Sequence, residues 1–599
     1  MKNNRQPKIT IGRDLAIALV AGFAVFYAST IWSSDTNAPI LTAIAPWMDF
    51  AIVAYAALLI SMVQNRFTGA LVIVSVPVAL FIIGGTLVLE LFNEPLSLSY
   101  LFLIDEGVAF YNAELIAGFG AIIYIAIFVL NLRTPGRYFL WALAPLVVIG
   151  GMLSVRGALD SGNKDGGAQN IHWWHGYDFS ANAGYFTGFV LDALVHFERR
   201  EMYSRLLAET QGQSFDDFLN AKVPKVSTAY RSVHLILIES LIDPTRNKES
   251  KFSRDPFSES FREWVDGQGA FALSPAFGAR SPDTEFEILC GIPATLDGSQ
   301  VVMAELKVKS LDCLPRKLGQ LGWRTLAMQP VEPQIFKTAK AYDILGFSES
   351  RFSPDLDMSD TDSGQFTSNM GAITTLETLS SDSLLRQNMN TLIPHLKSAG
   401  PVFNYVFLTG GHYPFGLDET NRPNVISADS ASEIYTRYVN AVYYNTLAVE
   451  TYVKKVFELD PTALVVVLGD HGPPLGEAVR VTADGGTGKW SRENLRQRVP
   501  FVMLDGEGSV PMELFAVPAY LVPEIILDKL TNGAFCRENT CRKDEPRILR
   551  TLVDKVLVYN RAGLQVGDCT EQAGDCTDAL AFMNKNKLRL LHLIGAKAD

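Results

Sequence analysis

Before residue 156 the sequence carries a series of long apolar runs, and after it none of comparable length. Leu15–Trp32, Ala70–Leu89, Leu115–Leu132 and Tyr138–Val155 are apolar, and Ala43–Val63 carries only Asp49, near one end. Runs of about 18 to 20 apolar residues match the hydrocarbon thickness of a bilayer when helical. The pattern predicts five transmembrane helices within residues 1–156. The first run is not read as a cleaved signal, because four more follow it and no small-residue cleavage site is evident. Lys2, Arg5, Lys8 and Arg13 precede the first run, Arg66 lies between the second and third, and Arg133 and Arg137 between the fourth and fifth. The two alternate loops, around Asp35 and from Asn93 to Glu114, have no Lys or Arg. Such asymmetry predicts a cytoplasmic N-terminus. Five spans then put everything after Arg156 outside a bacterial inner membrane.

The 599-residue chain is too long for one core, and a net charge of −12 with no basic run argues against a nucleic-acid partner. All six cysteines fall in the segment expected to be exported: Cys290, Cys313, Cys536, Cys541, Cys569 and Cys576. That distribution suits an oxidising compartment. The close pairs Cys536/Cys541 and Cys569/Cys576 are candidate disulfides, which leaves Cys290 with Cys313; buried free thiols are the alternative. A four-cysteine zinc site fits the spacing less well.

Residues 157–231 read as an interfacial helix (Phe186–Arg200, amphipathic but too polar to span) and a linker. His172 and His175 flank two tryptophans there, a pattern of membrane-surface aromatics more than of metal ligands. Residues 232–530 alternate short apolar runs with amphipathic stretches. Expected strands are Val233–Ile238, Thr325–Met328, Phe403–Leu408, Leu464–Leu468 and Pro500–Leu504. Expected helices include Leu311–Leu321, Leu384–Ser398 and Ala431–Leu459. This is the pattern of a mostly parallel sheet flanked by helices. Residues 531–599 read as a cysteine-containing extension of that domain.

Four places in the α/β segment carry chemistry-bearing residues. Glu239 and the pair Asp470-His471 each follow an apolar strand, where open α/β sheets bind ligands, and carboxylate and imidazole suit a divalent metal. Ser281 precedes Pro282 and an apolar-periodic stretch, as a helix N-cap does. A hydroxyl at a helix N-terminus is also placed for phosphate chemistry. Arg280 beside it could neutralise a phosphoryl oxygen. His412, in a Gly/Pro loop after a strand, could contact a substrate phosphate or a leaving group.

Together, Leu-Ile-Leu-Ile-Glu-Ser at 235–240, Arg-Ser-Pro-Asp-Thr-Glu-Phe at 280–286, Gly-His-Tyr-Pro-Phe at 411–415 and Gly-Asp-His-Gly at 469–472 resemble the alkaline phosphatase/sulfatase superfamily. They are most similar to its membrane-anchored branch of lipoteichoic acid synthases and phosphoglycerol or phosphoethanolamine transferases. The resemblance implies an alkaline phosphatase-like fold and one Mn²⁺ or Zn²⁺ bound by Glu239, Ser281, Asp470 and His471. It makes Ser281 the nucleophile and gives His412 to the substrate phosphate or leaving group. It further implies a membrane phospholipid donor, and an envelope glycan or lipid as acceptor. The branch usually has Thr where Ser281 stands, so Thr284 is the fallback nucleophile. A sulfatase activity is disfavoured, because the Cys/Ser-x-Pro-x-Arg spacing needed for formylglycine is absent. Two rival functions stay open: a phosphodiesterase or phosphatase using water, and a non-catalytic membrane regulator that keeps the fold.

Overall fold

The computed structural model describes residues 11–32, 41–62 and 67–92, then Phe186 and Phe189, and most of 215–594; the longest breaks in that last stretch are 295–300, 368–372, 476–497 and 571–575. The chain divides into two compact units, Met1–Glu201 with Ser368–Ala372, and Met202–Thr367 with Ile373–Asp599.

In the first unit the first three apolar runs form helices α1 (Ile11–Trp32), α2 (Leu41–Met62) and α3 (Phe67–Phe92). Ile17, Ala21 and Val25 of α1 bury against Val53 and Ala57 of α2 and Val74 and Phe81 of α3. Val20, Phe23, Leu80 and Ile83 point outward and are exposed. Among the described residues, no helix is long and apolar enough to cross a membrane. The fourth and fifth apolar runs, with His172 and His175, lie outside the described residues, as does nearly all of Phe186–Arg200.

The second unit is built on a nine-stranded sheet. Its strands are β1 (Ser232–Ile238), β2 (Phe271–Leu273), β3 (Arg324–Met328), β4 (Glu349–Arg351), β5 (Val402–Leu408), β6 (Leu464–Gly469), β7 (Arg498–Asp505), β8 (Gly508–Ser509) and β9 (Ala516–Pro518). They lie in the order β9-β2-β7-β6-β1-β5-β3-β4, with β8 paired to β7. The five strands β6-β1-β5-β3-β4 are parallel. The expected mostly parallel sheet therefore holds at its centre and needs correction at one side. There β7 runs antiparallel to both β6 and β2, so the sheet is mixed. Every residue of β1, β5 and β6 is buried, as expected for strands covered on both faces.

Neighbouring residues of β5 show the two faces, since side chains alternate along a strand. Asn404 donates to Tyr452 of a long helix, Glu433–Leu459, and pairs with Asn388 of the helix Ser381–Leu396. Tyr405, on the opposite face, donates to Glu285 of the helix Ser281–Cys290. A second, antiparallel sheet of Ile548–Thr551, Lys555–Tyr559 and Gln565–Thr570 lies in the C-terminal part. The disulfides are Cys290–Cys313, Cys536–Cys541 and Cys569–Cys576, the pairing that the spacing suggests.

Candidate metal centre and nucleophile

Strands β5, β1 and β6 are adjacent and end at one level, with Ile238 facing Leu408 on one side and Gly469 on the other. Each chain then turns out of the sheet carrying one of the motifs: Glu239 after β1, His412 after β5, Asp470 and His471 after β6. Close backbone approach explains two glycines in these turns. A Cβ on Gly411 would sit 2.5 Å from the Glu239 carbonyl oxygen, and one on Gly469 would sit 2.5 Å from that of Leu241. Any side chain at either position would push two of the motif loops apart.

Glu239, Asp470 and His471 are all buried, and their donor atoms lie within 4.8 Å of one another. His471 Nδ1 lies 2.9 Å from the Gly472 carbonyl, to which it can only donate, so Nε2 presents a lone pair. That nitrogen sits 3.3 Å from Asp470 Oδ2 and 3.6 Å from Glu239 Oε1. Asp470 Oδ1 is satisfied by the backbone amides of Ser240 and His471, whereas Oδ2 is buried with no hydrogen-bond donor. A buried imidazole lone pair and a carboxyl oxygen facing each other need a proton or a cation between them, and one nitrogen with two carboxylates is a competent ligand set for a divalent metal. Burial pushes the Asp470 carboxyl well above its usual range, and the Glu239 charge pushes it the same way. Burial also raises the Glu239 carboxyl. His471, His412 and hydrogen bonds from Ser240 and Ser281 more than offset this and leave it low. Burial lowers the His471 imidazole, which keeps it neutral, as a ligand must be. Among the described residues, the other acidic and cysteine cluster, Glu524 with Cys536 and Cys541, is no competitor, because its two sulfurs are tied in a disulfide.

Ser281 stands elsewhere on its helix than the sequence suggests. The N-cap is Arg280, in the left-handed region at φ 74°, and Ser281 is the first helical residue. Its hydroxyl therefore has no capping duty. Oγ lies 3.2 Å from Glu239 Oε2 and 3.3 Å from His471 Nε2. Thr284 is one turn further on and fully buried, and its hydroxyl donates to the Asp470 carbonyl oxygen. Arg280 forms an ion pair with buried Asp283 at 2.6 Å. His412 Nδ1 lies 2.8 Å from the Tyr413 carbonyl, which leaves Nε2 as its other hydrogen-bonding atom.

Residues not singled out by the sequence hold this cluster in place. Tyr438 donates to the Ser240 carbonyl at 2.8 Å and fixes the turn after Glu239, where Ser240 has φ 53°. Arg550, from the C-terminal part, is wholly buried and makes a two-pronged contact of 2.6 and 2.9 Å with buried Glu287 on the Ser281 helix. Such a pair fixes orientation more than it adds stability. No local signal marks Tyr438 or Arg550, since their partners lie 198 and 263 residues away.

Glu285, on the same helix, accepts hydrogen bonds from Tyr342 at 2.5 Å and Tyr405 at 2.9 Å. Burial nonetheless pushes its carboxyl up to about 7 from 4.5. A raised carboxyl favours the folded state fully below pH 4.5, and this contribution is lost as pH rises through about 7. The shift corresponds to about 3 kcal/mol. Glu285→Gln removes this dependence and keeps an oxygen for both tyrosines. In urea titrations from pH 5 to 8, the stability of the variant relative to wild type should therefore rise with pH. A pH-independent difference would contradict a protonated Glu285.

Residues 232–524, just under half of the chain, match the family model described as Sulfatase. A Rhizobium meliloti (strain 1021) protein named for cyclic beta-1,2-glucan modification is 23% identical over 292 residues, 47% of this chain and 41% of that protein. The chain thus spans less than half the length of that curated relative. Among solved structures, the lipooligosaccharide phosphoethanolamine transferase A of Neisseria meningitidis is 12% identical with a TM-score of 0.47, over 87% of this chain and 95% of that one. A Streptococcus pyogenes phosphoglycerol transferase, solved with sn-glycerol-1-phosphate, is 15% identical with a TM-score of 0.43, over 66% of this chain and 92% of that one. The span matched by the family model contains Glu239, Ser281, His412, Asp470 and His471. Residues 232–524 thus form a segment similar to the Sulfatase family, and it carries all of these site residues.

Proposed function

We propose that this protein transfers a phosphoryl head group from a membrane phospholipid to an envelope glycan or lipid, through a covalent intermediate on Ser281. Phosphoglycerol is the favoured group and phosphoethanolamine the second. One observation carries the reading: a serine hydroxyl with no capping role lies within 3.3 Å of two members of a buried carboxylate–imidazole cluster. A divalent ion held by Glu239, Asp470 and His471, Mn²⁺ or Zn²⁺ by the character of the set, would supply positive charge to the phosphoryl oxygens. The chain's own residues supply the rest. Ser281 Oγ forms a bond to phosphorus while the bond from phosphorus to the diacylglycerol oxygen breaks. The serine proton passes by way of Glu239 Oε2, its hydrogen-bond acceptor, to the leaving diacylglycerol oxygen, which His412 contacts. An acceptor hydroxyl then reverses the sequence and frees Ser281.

A bilayer donor requires the site to lie at a membrane. The charge asymmetry of the N-terminal loops supports a cytoplasmic N-terminus with the catalytic unit outside. Three disulfides in the second unit support an oxidising location. The outward apolar residues of α1 and α3 suit contact with lipid. Phosphoglycerol is favoured by the likeness of the Gly-His-Tyr-Pro-Phe loop and of Glu239-Ser240 to that branch. A glycan acceptor agrees with the glucan named for the Rhizobium relative.

The purified full chain in detergent, given phosphatidylglycerol or phosphatidylethanolamine with and without β-1,2-glucan, tests this by mass spectrometry of diacylglycerol and glucan. Expected are a preference for phosphatidylglycerol of about tenfold, equal to 1.4 kcal/mol, and glucan carrying phosphoglycerol. Release at one rate with and without glucan, with no modified glucan formed, would mean that water is the acceptor. No release from either lipid would sink the enzymatic reading.

A further inference from the structure

Every residue of the nucleophile's helix after Ser281 is buried, and Asp283, Glu285 and Glu287 are among them. Buried carboxylates need partners, and each of these has its own. Asp283 pairs with Arg280 at the N-cap and accepts from the Val302 amide at 3.2 Å. Glu285 accepts from Tyr405 of β5 and from Tyr342. Glu287 accepts from the Ala294 amide at 2.8 Å and from both prongs of Arg550. Residues two apart on a helix point roughly 200° from each other. Glu285 therefore ties one side of the helix to the main sheet. Glu287 ties the other side to the C-terminal sheet, where Arg550 sits in the strand Ile548–Thr551. Tyr520 reinforces this second attachment. It belongs to the turn Ala519–Leu521, which packs on the Ser281 helix, and its hydroxyl donates to the Leu549 carbonyl.

Arg550 suits orientation better than stability. Its side chain is wholly buried, and its Nε has no acceptor among the described residues. A buried donor left unmade lowers stability, and an apolar pair of similar volume would fill the space without that cost. What the ion pair supplies is a fixed distance and angle between the helix and the C-terminal sheet, since a fork of two bonds allows little rotation. Glu287 lies about 9 Å along the helix from Ser281, at about 1.5 Å per residue. Tilting or turning the helix at Glu287 moves Ser281 Oγ. Its contacts of 3.2 Å to Glu239 and 3.3 Å to His471 are already at the long end for hydrogen bonds. Misplacing a reacting group by about 1 Å can cost about 100-fold in rate.

We propose, resting on the transfer reading above, that Arg550 is a positioning residue for the reaction at Ser281: by gripping Glu287 from the C-terminal sheet, it holds the nucleophile in reach of Glu239 and His471. The test uses the full chain in detergent with phosphatidylglycerol, and compares wild type with Arg550→Met/Glu287→Gln and with Arg550→Lys. The double variant removes both buried charges and keeps an oxygen for the Ala294 amide. Lysine keeps the charge but not the fork, and it carries the test if the double variant does not fold. Expected in both is a metal-induced rise in melting temperature equal to that of wild type, with an unchanged KM for the lipid. The kcat for diacylglycerol release should fall at least about tenfold in the double variant and several-fold with lysine. Wild-type kcat in either variant would overturn this role. So would a fall in kcat accompanied by a raised KM or a smaller metal-induced rise, which is what general loosening of the fold produces. The transfer reading stands or falls separately, on diacylglycerol release by the wild-type protein.

Discussion

Ser281→Ala should lower head-group transfer at least about 10⁴-fold, the scale on which enzymes lose rate when a nucleophile is removed. The geometry isolates this effect from folding. Ser281 is the first residue of its helix, only partly buried, and makes no capping bond. What alanine loses is the pair of contacts to Glu239 and His471. The metal ligands Glu239, Asp470 and His471 stay in place, so bound metal and melting temperature should change little. Thr284→Ala is the control, because it reverses the expectation. Its buried hydroxyl donates to the Asp470 carbonyl, so alanine there should destabilise by about 1–3 kcal/mol. Activity at a permissive temperature should remain within a few-fold. Incubation of wild type with phosphatidylglycerol, a rapid quench and peptide mass spectrometry should find the head group on the peptide containing Ser281. A fully active Ser281→Ala protein, or a label on Thr284, would move the nucleophile one turn along the helix.

The central sheet was readable because each of its long strands is a short apolar run closed by a polar residue or glycine. Val233–Ile238, Thr325–Met328, Phe403–Leu408 and Leu464–Leu468 differ from the observed strands by a residue at one end or the other. The direction of β7 was not readable. A run such as Pro500–Leu504 looks the same in either sense, and its antiparallel partner Leu464–Gly469 is not next to it in the sequence. The hairpin Thr361–Thr367 with Ile373–Leu379 was missed because its strands are rich in Thr, Ser and Asp, with no apolar alternation. Within the site, the motifs named the residues that meet in space but not the backbone that orients them. Ser281 was read as a cap because Ser before Pro is a common cap. What displaces it is the left-handed Arg280, held by its ion pair to Asp283. That contact depends on a buried aspartate whose surroundings are tertiary.

Asp470→Asn should separate metal binding from stability more sharply than any other single change. Asp470 Oδ1 accepts from Ser240 and His471 amides, and an asparagine oxygen can keep both bonds. Oδ2 has no donor and faces the His471 Nε2 lone pair at 3.3 Å. Replacing that oxygen by an amide NH₂ puts a permanent donor opposite the His471 lone pair, and it removes a carboxyl whose ionisation burial and Glu239 disfavour. The metal-free variant should therefore be as stable as metal-free wild type, or more stable by about 1 kcal/mol. With metal the order reverses. A ligand at 1,000 times its dissociation constant stabilises the folded state by about 4 kcal/mol. Loss of an anionic ligand should weaken binding by more than the 10–100-fold typical of residues that merely orient ligands. Calorimetric melts with chelator, Mn²⁺ or Zn²⁺ should show a large metal-induced rise for wild type and almost none for Asp470→Asn, with transfer activity lost in parallel. A variant that melts lower than wild type in chelator would assign Asp470 a structural role in the turn. One that keeps the metal-induced rise would remove it from the ligand set and leave Glu239 and His471 to be explained without a shared ion.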